Sequence, residues 1–489
     1  GAGKPFTEGA GYKNTIDGRR SFEVGTAWGR LDFSPTPAHG LQVSYTWQDA
    51  DLILYPYLQM DGIWDKAHRA NLGYDRRKAL GVVDALRGQV YYTKVRHWMT
   101  DEFRASSQNM PRAYSMATMA RTETVGGRAE ATLSRVVAGV EVFRREWETT
   151  TSLRMTQYQP QHSIPDVGLT SAGAFVEWSQ PLFASLTLDA GGRLDRTRNE
   201  ADGAKAATAL YRAYHDTART SVSETNPAGK VRLTWSPAPE VTFSGGVGRT
   251  VRVPDPQERF FGLRRMGSDW VGNPSLASTT NTGIDVQVSY RRTGLFLTGS
   301  LYRDALDNFI AIYRQARLPG AQGTMNPAAR SWRNVNATMT GGEVEGLLSL
   351  TDRLFLTGQV SAVRGRQEAR AGAAISPNIP EMPPARFRAG LRYDERRAAG
   401  GLFGEAEVVY SMEQDRVDAS LLEQPTPSWT SVNLRAGFAF KSARVSVGVA
   451  NLLNRAYAEH LSYQRDPFRS GAKVLEPGRN VYVNLSAVF

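Results

Sequence analysis

The last nine residues, Val481-Tyr482-Val483-Asn484-Leu485-Ser486-Ala487-Val488-Phe489, place an apolar side chain at every second position. Neighbouring side chains of a β-strand point to opposite faces, so this stretch predicts a strand with one face suited to lipid. The same alternation runs through 432–440 and 443–449, on either side of the short Lys441-Ser442 connection. These two stretches predict a β-hairpin.

Further from the C-terminus, apolar positions alternate with charged ones. The clearest stretches are Ala385, Phe387, Ala389, Leu391 and Tyr393 against Arg386, Arg388, Arg392 and Asp394, and Ile284, Val286, Val288 and Tyr290 against Asp285, Gln287 and Ser289. Charge on every second position indicates a wet interior behind an apolar outer face. The alternative is a soluble all-β domain, which rarely runs this long without a break.

The whole chain gives roughly nineteen such strands, joined alternately by tight and by long polar connections. The tight connections are 35–40, 236–240, Thr293-Gly294, Asp352-Arg353 and Lys441-Ser442, and the long ones include 100–118, 150–169, 200–220, 251–280 and 457–479. This alternation is typical of a transmembrane antiparallel β-barrel, which places its long loops outside the cell. The fold class is therefore all-β.

Composition excludes other classes. The chain has 489 residues, no cysteine, a formal net charge of +11 and 41% hydrophobic residues, and it contains no run of about 18 apolar residues for a spanning helix. Its arginines are scattered over alternating segments, so the positive charge does not indicate nucleic acid. We find no cysteine nucleophile, no His-Glu-x-x-His and no phosphate-binding glycine loop, and we expect no enzyme activity.

Whether the number of strands is odd or even indicates whether strands are missing at the start of the chain. If the final strand ends in the periplasm, the strand from about Phe22 to Ser34 descends, and its ascending predecessor is missing or reduced to Gly1 to Lys13. Because bacterial barrels have even strand numbers, we expect residues 1–489 to form one barrel domain whose first strands have been lost. No signal peptide opens the chain.

Motifs near the C-terminus are more specific. Asn451-Leu452-Leu453-Asn454-Arg455-Ala456-Tyr457, Glu459-His460-Leu461, Glu476-Pro477-Gly478-Arg479 and the terminal Phe489 resemble the closing strands of TonB-dependent receptors. Arg252-Val253-Pro254-Asp255, Trp270 to Leu276 and Gly341 to Gly346 are similar to the same family. The acidic residue usual after the Asn-Pro-x-Leu element is replaced by Ser278 and Thr279.

The resemblance implies a barrel of about 22 strands with a plugged lumen, in the outer membrane of a Gram-negative bacterium. It also implies contact with outer-membrane lipid and lipopolysaccharide, a TonB-type energising complex if a plug is present, and a surface lipoprotein or partner chain as a further possible partner. No segment resembles the family's N-terminal plug or its TonB box, so we expect the plug to be absent. A passive channel or structural partner is therefore an alternative to a nutrient importer.

The segment around His97 narrows the range of substrates to be considered. In the strand predicted from Leu86 to Met99, the odd positions, including His97 and Met99, face the lumen about 7 Å apart. An imidazole and a thioether together suit copper, above all Cu(I). Three more methionines, Met110, Met116 and Met119, lie in or beside the following polar loop. The alternative is a solvated rim histidine with methionines packed beneath a folded loop.

The pair resembles the His-x-Met element of the TonB-dependent copper receptors, and the segment from Leu52 to Gly62 looks like the loop ahead of it in that subfamily. By this resemblance His97 and Met99 are two copper ligands, the plug supplies the others, and copper is substrate rather than cofactor. The alternative substrate is a ferric siderophore. Its docking surface would comprise Arg259, Phe260, Phe261, Arg264, Arg265 and Trp270, although these also suit an ordinary loop folded over the barrel mouth.

Overall fold

The structure is a computed structural model that describes residues 11–13, 20–265, 269–316, 328–368, 375–397, 400–440, 442–462 and 473–487. These residues form a single sheet of 21 strands with two short helices. The strands are β1 Phe22–Thr36, β2 His39–Ile53, β3 Asp61–Leu80, β4 Val83–Thr100, β5 Met116–Leu133, β6 Val136–Leu153, β7 Pro160–Phe183, β8 Leu186–Ala201, β9 Ser221–Ala238, β10 Val241–Arg252, β11 Gly262–Leu263, β12 Asp269–Val271, β13 Thr279–Arg292, β14 Leu295–Ala316, β15 Ala328–Ser349, β16 Leu354–Gln367, β17 Arg386–Arg397, β18 Gly400–Ser411, β19 Trp429–Phe440, β20 Ala443–Ala450 and β21 Asn480–Ala487. The helices are α1 Thr208–His215 and α2 Pro256–Phe260.

Nineteen of the strands in the described residues are long, and each pairs antiparallel with the next long strand along the chain. The two exceptions, β11 and β12, lie in the connection between β10 and β13. The predicted barrel strands and their number are therefore confirmed. Within the described residues β1 and β21 are the two edges of the sheet, and no ladder joins them.

The predicted alternation of connections is also confirmed. At the Thr293-Gly294 turn, Arg292 pairs directly with Leu295, and Gly294 adopts φ +79°, a conformation that glycine accommodates without strain. Lys441 and the terminal Phe489 lie outside the described residues. The helices of the described residues are too short and too polar for any of them to cross a membrane.

One predicted loop is wrong. Most of the stretch from Thr150 to Leu169 belongs to β6 and β7, whose paired ends leave residues 154–159 as the connection. Its hydroxyl residues, which look like loop polarity in the sequence, hydrogen-bond inside this hairpin: Thr151 and Ser163 lie 3.0 Å apart. Threonine also favours strands because it is β-branched, so the polar stretch continues the sheet.

The two faces of the sheet differ as predicted. Apolar side chains on the outer face are strongly exposed, among them Leu301 at 66% and Val90 at 55%. The inner face carries ion pairs between neighbouring strands. Arg435 lies 2.6 Å from Glu405, for example. Since a lumen filled with water solvates charges that lipid would not, this distribution identifies the inner face as the wet one.

Candidate functional site

The long connections cover one end of the barrel with a buried apolar cluster, here called the lid core. It comprises Leu153, Ile164, Val167, Ala201, Leu210, Tyr211, Phe260, Phe261, Leu263, Trp270, Val271, Leu276, Ile310 and Trp332. Phe261, Trp270 and Trp332 form a T-shaped aromatic trio with ring centroids 5.4 to 6.5 Å apart. This geometry stabilises aromatic contacts beyond simple burial.

The proposed docking surface lies largely inside this cluster. Phe260 is 0% exposed, Phe261 4% and Trp270 3%, so these rings pack the lid and offer no surface to a ligand in this structure. Arg259 is also 0% exposed, and its guanidinium donates to Glu224 and to the Leu276 carbonyl. These four residues therefore pack inside the lid, and their role in docking a substrate stays a prediction.

Two members of that predicted surface remain partly exposed. The Arg265 guanidinium donates to the Gln59 side chain at 2.9 Å, and the Arg264 backbone N–H donates to Gln161. Arg265 therefore ties the lid to the connection between β2 and β3.

The lid includes helix α1, which is held by its last turn. His215 Nε2 lies 2.7 Å from Ser331 Oγ, and that hydroxyl donates to the Val271 carbonyl. Ser331 therefore accepts from His215, which requires a proton on Nε2. Burial, assisted by the nearby Arg333 charge, lowers the pKa of His215 to about 4, so the imidazole is neutral at physiological pH.

His97 and Met99 lie at the loop end of β4, two positions apart on the inner face. On β3, Asp65 lies opposite His97, with Oδ2 3.9 Å from Nδ1, and Gly62 lies opposite Met99. The Tyr55 ring and the Ile53 side chain pack beside Gly62, 3.4 and 3.5 Å from where a β-carbon of that residue would stand. The predicted orientation of this pair therefore agrees with the structure.

A further sulfur lies beside this pair. On β5, Thr118 is the ladder partner of Met99, and its hydroxyl contacts the Met60 sulfur at 3.9 Å. Met60 is only 1% exposed. Met60 is therefore packed next to the ladder partner of Met99, while the Asp65 carboxylate lies next to the His97 imidazole.

The other three methionines are placed differently. Met119 lies opposite Trp98, on the outer face away from His97 and Met99, and is 37% exposed. Met116 packs against the lid core, and Met110 lies in the connection between β4 and β5 with partial exposure. Met119 therefore cannot share a site with His97 in this arrangement, and Met116 has a packing role.

Buried charge fixes the rim around this site. Asp61, 0% exposed, accepts hydrogen bonds from Arg104 Nε at 2.9 Å and Nη2 at 2.7 Å, and from the Tyr12 hydroxyl at 2.6 Å. Burial, together with the Asp61 charge, raises the pKa of Tyr12, which therefore stays a hydrogen-bond donor. Asp61 lies opposite Thr100, the residue after Met99, in the β3–β4 ladder. The cluster therefore joins the β2–β3 connection to the β4–β5 connection next to Met99.

The Glu459-His460-Leu461 motif belongs to a second buried cluster. His460 Nε2 lies 3.1 Å from Glu423 Oε1, its Nδ1 lies 2.9 Å from Thr426 Oγ1, and Lys473 donates to that hydroxyl. Burial opposes ionisation, but hydrogen bonds from His460 and from two backbone N–H groups hold the pKa of Glu423 below its usual value. This cluster ties the β20–β21 connection to the β18–β19 connection.

Sequence reasoning did not assign Met60 or Asp65 to the site. Asp65 is placed there by the β3–β4 register, and Met60 by the fold of the β2–β3 connection. Among the described residues no group of three or more His, Cys, Asp or Glu could hold a metal, so any metal bound here must also use sulfur or ligands from elsewhere.

These features define a wide outer-membrane receptor barrel with a folded loop lid. A family model described as TonB dependent receptor-like, beta-barrel matches residues 9–452, and the chain belongs to this family. The resemblance inferred from the sequence is thus confirmed. A search of curated protein sequences gives no significant match. Members of the family are receptors and transporters of the Gram-negative outer membrane.

Solved structures show the same fold. The copper transporter OprC is 22% identical, with a TM-score of 0.78, and the alignment covers 96% of this chain and 72% of OprC. The FrpB iron transporter from Neisseria meningitidis is 15% identical with a TM-score of 0.67, covering 95% and 72%. The siderophore receptor PirA from Acinetobacter baumannii is 13% identical with a TM-score of 0.67, covering 96% and 71%.

Proposed function

We propose that this chain is the barrel of an outer-membrane importer for copper, taken up as Cu(I) at the loop end of the lumen. The observation that carries the proposal is the placement of His97 and Met99 on one face of β4, with the Met60 sulfur against Thr118, the ladder partner of Met99. Thioethers and imidazole prefer Cu(I), whereas hard ferric iron prefers oxygen ligands. The structural likeness to the copper transporter OprC supports the same substrate.

In this proposal His97 and Met99 are ligands and Met60 is a third candidate. The rim position lets a metal arriving from outside meet these groups before it enters the lumen. Further ligands would come from another part of the receptor, and a TonB-type complex would supply the energy for transport. A ferric siderophore is the second candidate, supported by the likeness to the siderophore receptor PirA and by the partly exposed Arg264 and Arg265.

Competition with a chromogenic Cu(I) chelator tests the copper site in the full chain, purified in detergent. We expect His97→Ala and Met99→Ala each to weaken Cu(I) binding by at least about tenfold, since even loss of an outer-shell partner has such an effect. Met119→Ala is the matched control, because this methionine lies on the neighbouring strand, one position from the ladder partner of Met99, but on the outer face.

Folding is checked by the heat-dependent gel mobility of the barrel. If both variants fold and bind Cu(I) like the parent chain, the copper proposal is wrong. Tight binding of a ferric siderophore by the parent chain, with weak Cu(I) binding, would establish the second candidate instead.

A further inference from the structure

The outer face of β3, β4 and β5 changes character along its length. Nearer the tight turns it is apolar and open to lipid, with Leu72 47%, Val90 55% and Val125 50% exposed. Nearer the long connections it becomes cationic. Lys66, Arg96 and Arg121 occupy one row across the three strands, here called the outer basic row.

In the outer basic row, residues of like charge occupy directly opposed positions of neighbouring strands. Lys66 lies opposite Arg96 in the β3–β4 ladder, and Arg96 lies opposite Arg121 in the β4–β5 ladder. Opposed residues of antiparallel strands have Cβ atoms about 5 Å apart, and like charges at that spacing destabilise the sheet. A row of three cations therefore calls for a compensating anion.

Among the described residues, carboxylates pair with the row only at its two ends. Lys66 lies 3.3 Å from Asp49, and Arg121 lies 2.7 Å from Glu123. Glu123 is also shared with Lys94, at 3.5 Å, and with the Tyr92 hydroxyl.

Carboxylates on the next strand do not relieve the centre of the row. Glu148, the ladder partner of Arg121, lies 3.0 Å from Lys205, and Glu146 lies 3.0 Å from Arg144. The exposed Arg96 makes no hydrogen bond or ion pair with any residue in the part of the chain that the structure describes.

Aromatic residues fix the depth of the row in the membrane. Trp64 and Trp98 face each other one outer-face position beyond Lys66 and Arg96, towards the long connections. Tryptophan gathers at the membrane interface, so the row lies at the level of the lipid head groups. Because the long connections face outward, these are head groups of the outer leaflet.

We propose that the outer basic row binds the phosphate groups of a phosphorylated glycolipid of the outer leaflet, the lipid A part of lipopolysaccharide. Arginine binds phosphate oxygens through paired N–H groups, which suits Arg96 at the centre of the row. The exposed apolar surface at Leu72 and Val90 lies on the same outer face, three outer-face positions from the row towards the tight turns, and accepts the acyl chains. A free phosphate ion would use the cations but not this surface.

Native mass spectrometry of the delipidated full chain in detergent tests the proposal, with bisphosphorylated lipid A, its dephosphorylated form and inorganic phosphate as probes. We expect the parent chain to retain bisphosphorylated lipid A. Each cation near a membrane surface contributes about fivefold to binding, so Arg96→Gln should weaken retention about fivefold. Replacing all three cations with Gln should weaken it about 100-fold.

Arg198→Gln is the matched control, because Arg198 is an exposed cation on the outer face of β8 that has its own carboxylate partner, Glu200, at 2.9 Å. Unchanged retention by the folded triple variant would overturn the proposal. Equal retention of dephosphorylated lipid A would show binding by acyl chains alone and overturn it as well. Displacement of lipid A by an equal concentration of inorganic phosphate would identify a free-anion site instead. If the triple variant does not fold, the retention of lipid A by Arg96→Gln relative to the parent chain decides, and equal retention by the two would overturn the proposal.

Discussion

Acidification should release helix α1 from the lid, because His215 must be neutral to remain docked. Its pKa is about 4 when docked, against an ordinary value of 6.5 when released. The released state therefore takes up a proton first as pH falls, so docking weakens between about pH 6.5 and pH 4 and changes little further below that range. From pH 7.5 to pH 5, the free energy of docking should fall by about 2 kcal/mol, roughly thirtyfold in the equilibrium.

The cysteine-free chain allows this release to be followed with a single label. A fluorophore on Arg212→Cys, an exposed position of α1, reports its environment as pH is titrated. His215→Gln is the control, since its amide can still donate to Ser331 but takes up no proton in this range. We expect a pH-dependent signal in the labelled parent and a flat one in the His215→Gln background. The same pH dependence in both would refute the assignment to His215.

Other predictions concern the rim, the lid core and the second cluster. Arg104→Met removes the cation that pairs with the buried Asp61, so it should destabilise the rim by about 3 to 5 kcal/mol and speed hydrogen exchange in 101–115. The control Arg112→Met changes an exposed arginine of the same connection and should leave that exchange unchanged. Equal exchange rates in the two variants would contradict this prediction. Trp332→Ala should cost about 3 to 5 kcal/mol of lid stability, measured by hydrogen exchange, and an unchanged lid would contradict its place in the lid core. The lowered pKa of Glu423 means that its stabilising effect is present above its ordinary value of 4.5 and is lost as pH falls through its folded value. Hydrogen exchange in 412–428 should rise with acid in the parent chain and lose that dependence in Glu423→Gln, and a retained dependence would identify another group.

The barrel was predictable because its signal repeats in every strand. Each strand alternates an apolar outer face with a polar inner one, and errors in single strands do not change the pattern. The facing of His97 and Met99 follows from this period of two alone. The resemblance of the C-terminal motifs then pointed to the right family.

The cross-strand neighbours were not predictable in the same way. β3 and β4 contain irregularities between Arg77 and Leu80 and between Gly62 and Trp64, each of which shifts the register. Counting residues from the turn without the first of these shifts would place Lys66 opposite His97 in place of Asp65, because a slip of one residue exchanges the two faces. A single sequence does not mark such bulges.

The burial of four of the predicted docking residues was not predictable for a different reason. Aromatic and basic residues in a long loop give the same sequence pattern whether they are exposed to bind a ligand or buried against one another. Phe260 and Trp270 are buried because distant segments, including Trp332 on β15, meet them in space. Only the assembled structure shows which apolar loop residues have found partners.

The composition of the lid core also sets an order of assembly. The long strands pair with their next long neighbour along the chain, so the sheet can grow hairpin by hairpin through contacts that are close in sequence. The lid core instead gathers residues from Leu153 to Trp332, which few of those hairpins bring together alone. Since contacts between distant segments require large loops to close first, the lid should form late in folding. A closed lid would then mean that the strands from β6 to β15 have already paired in the correct register.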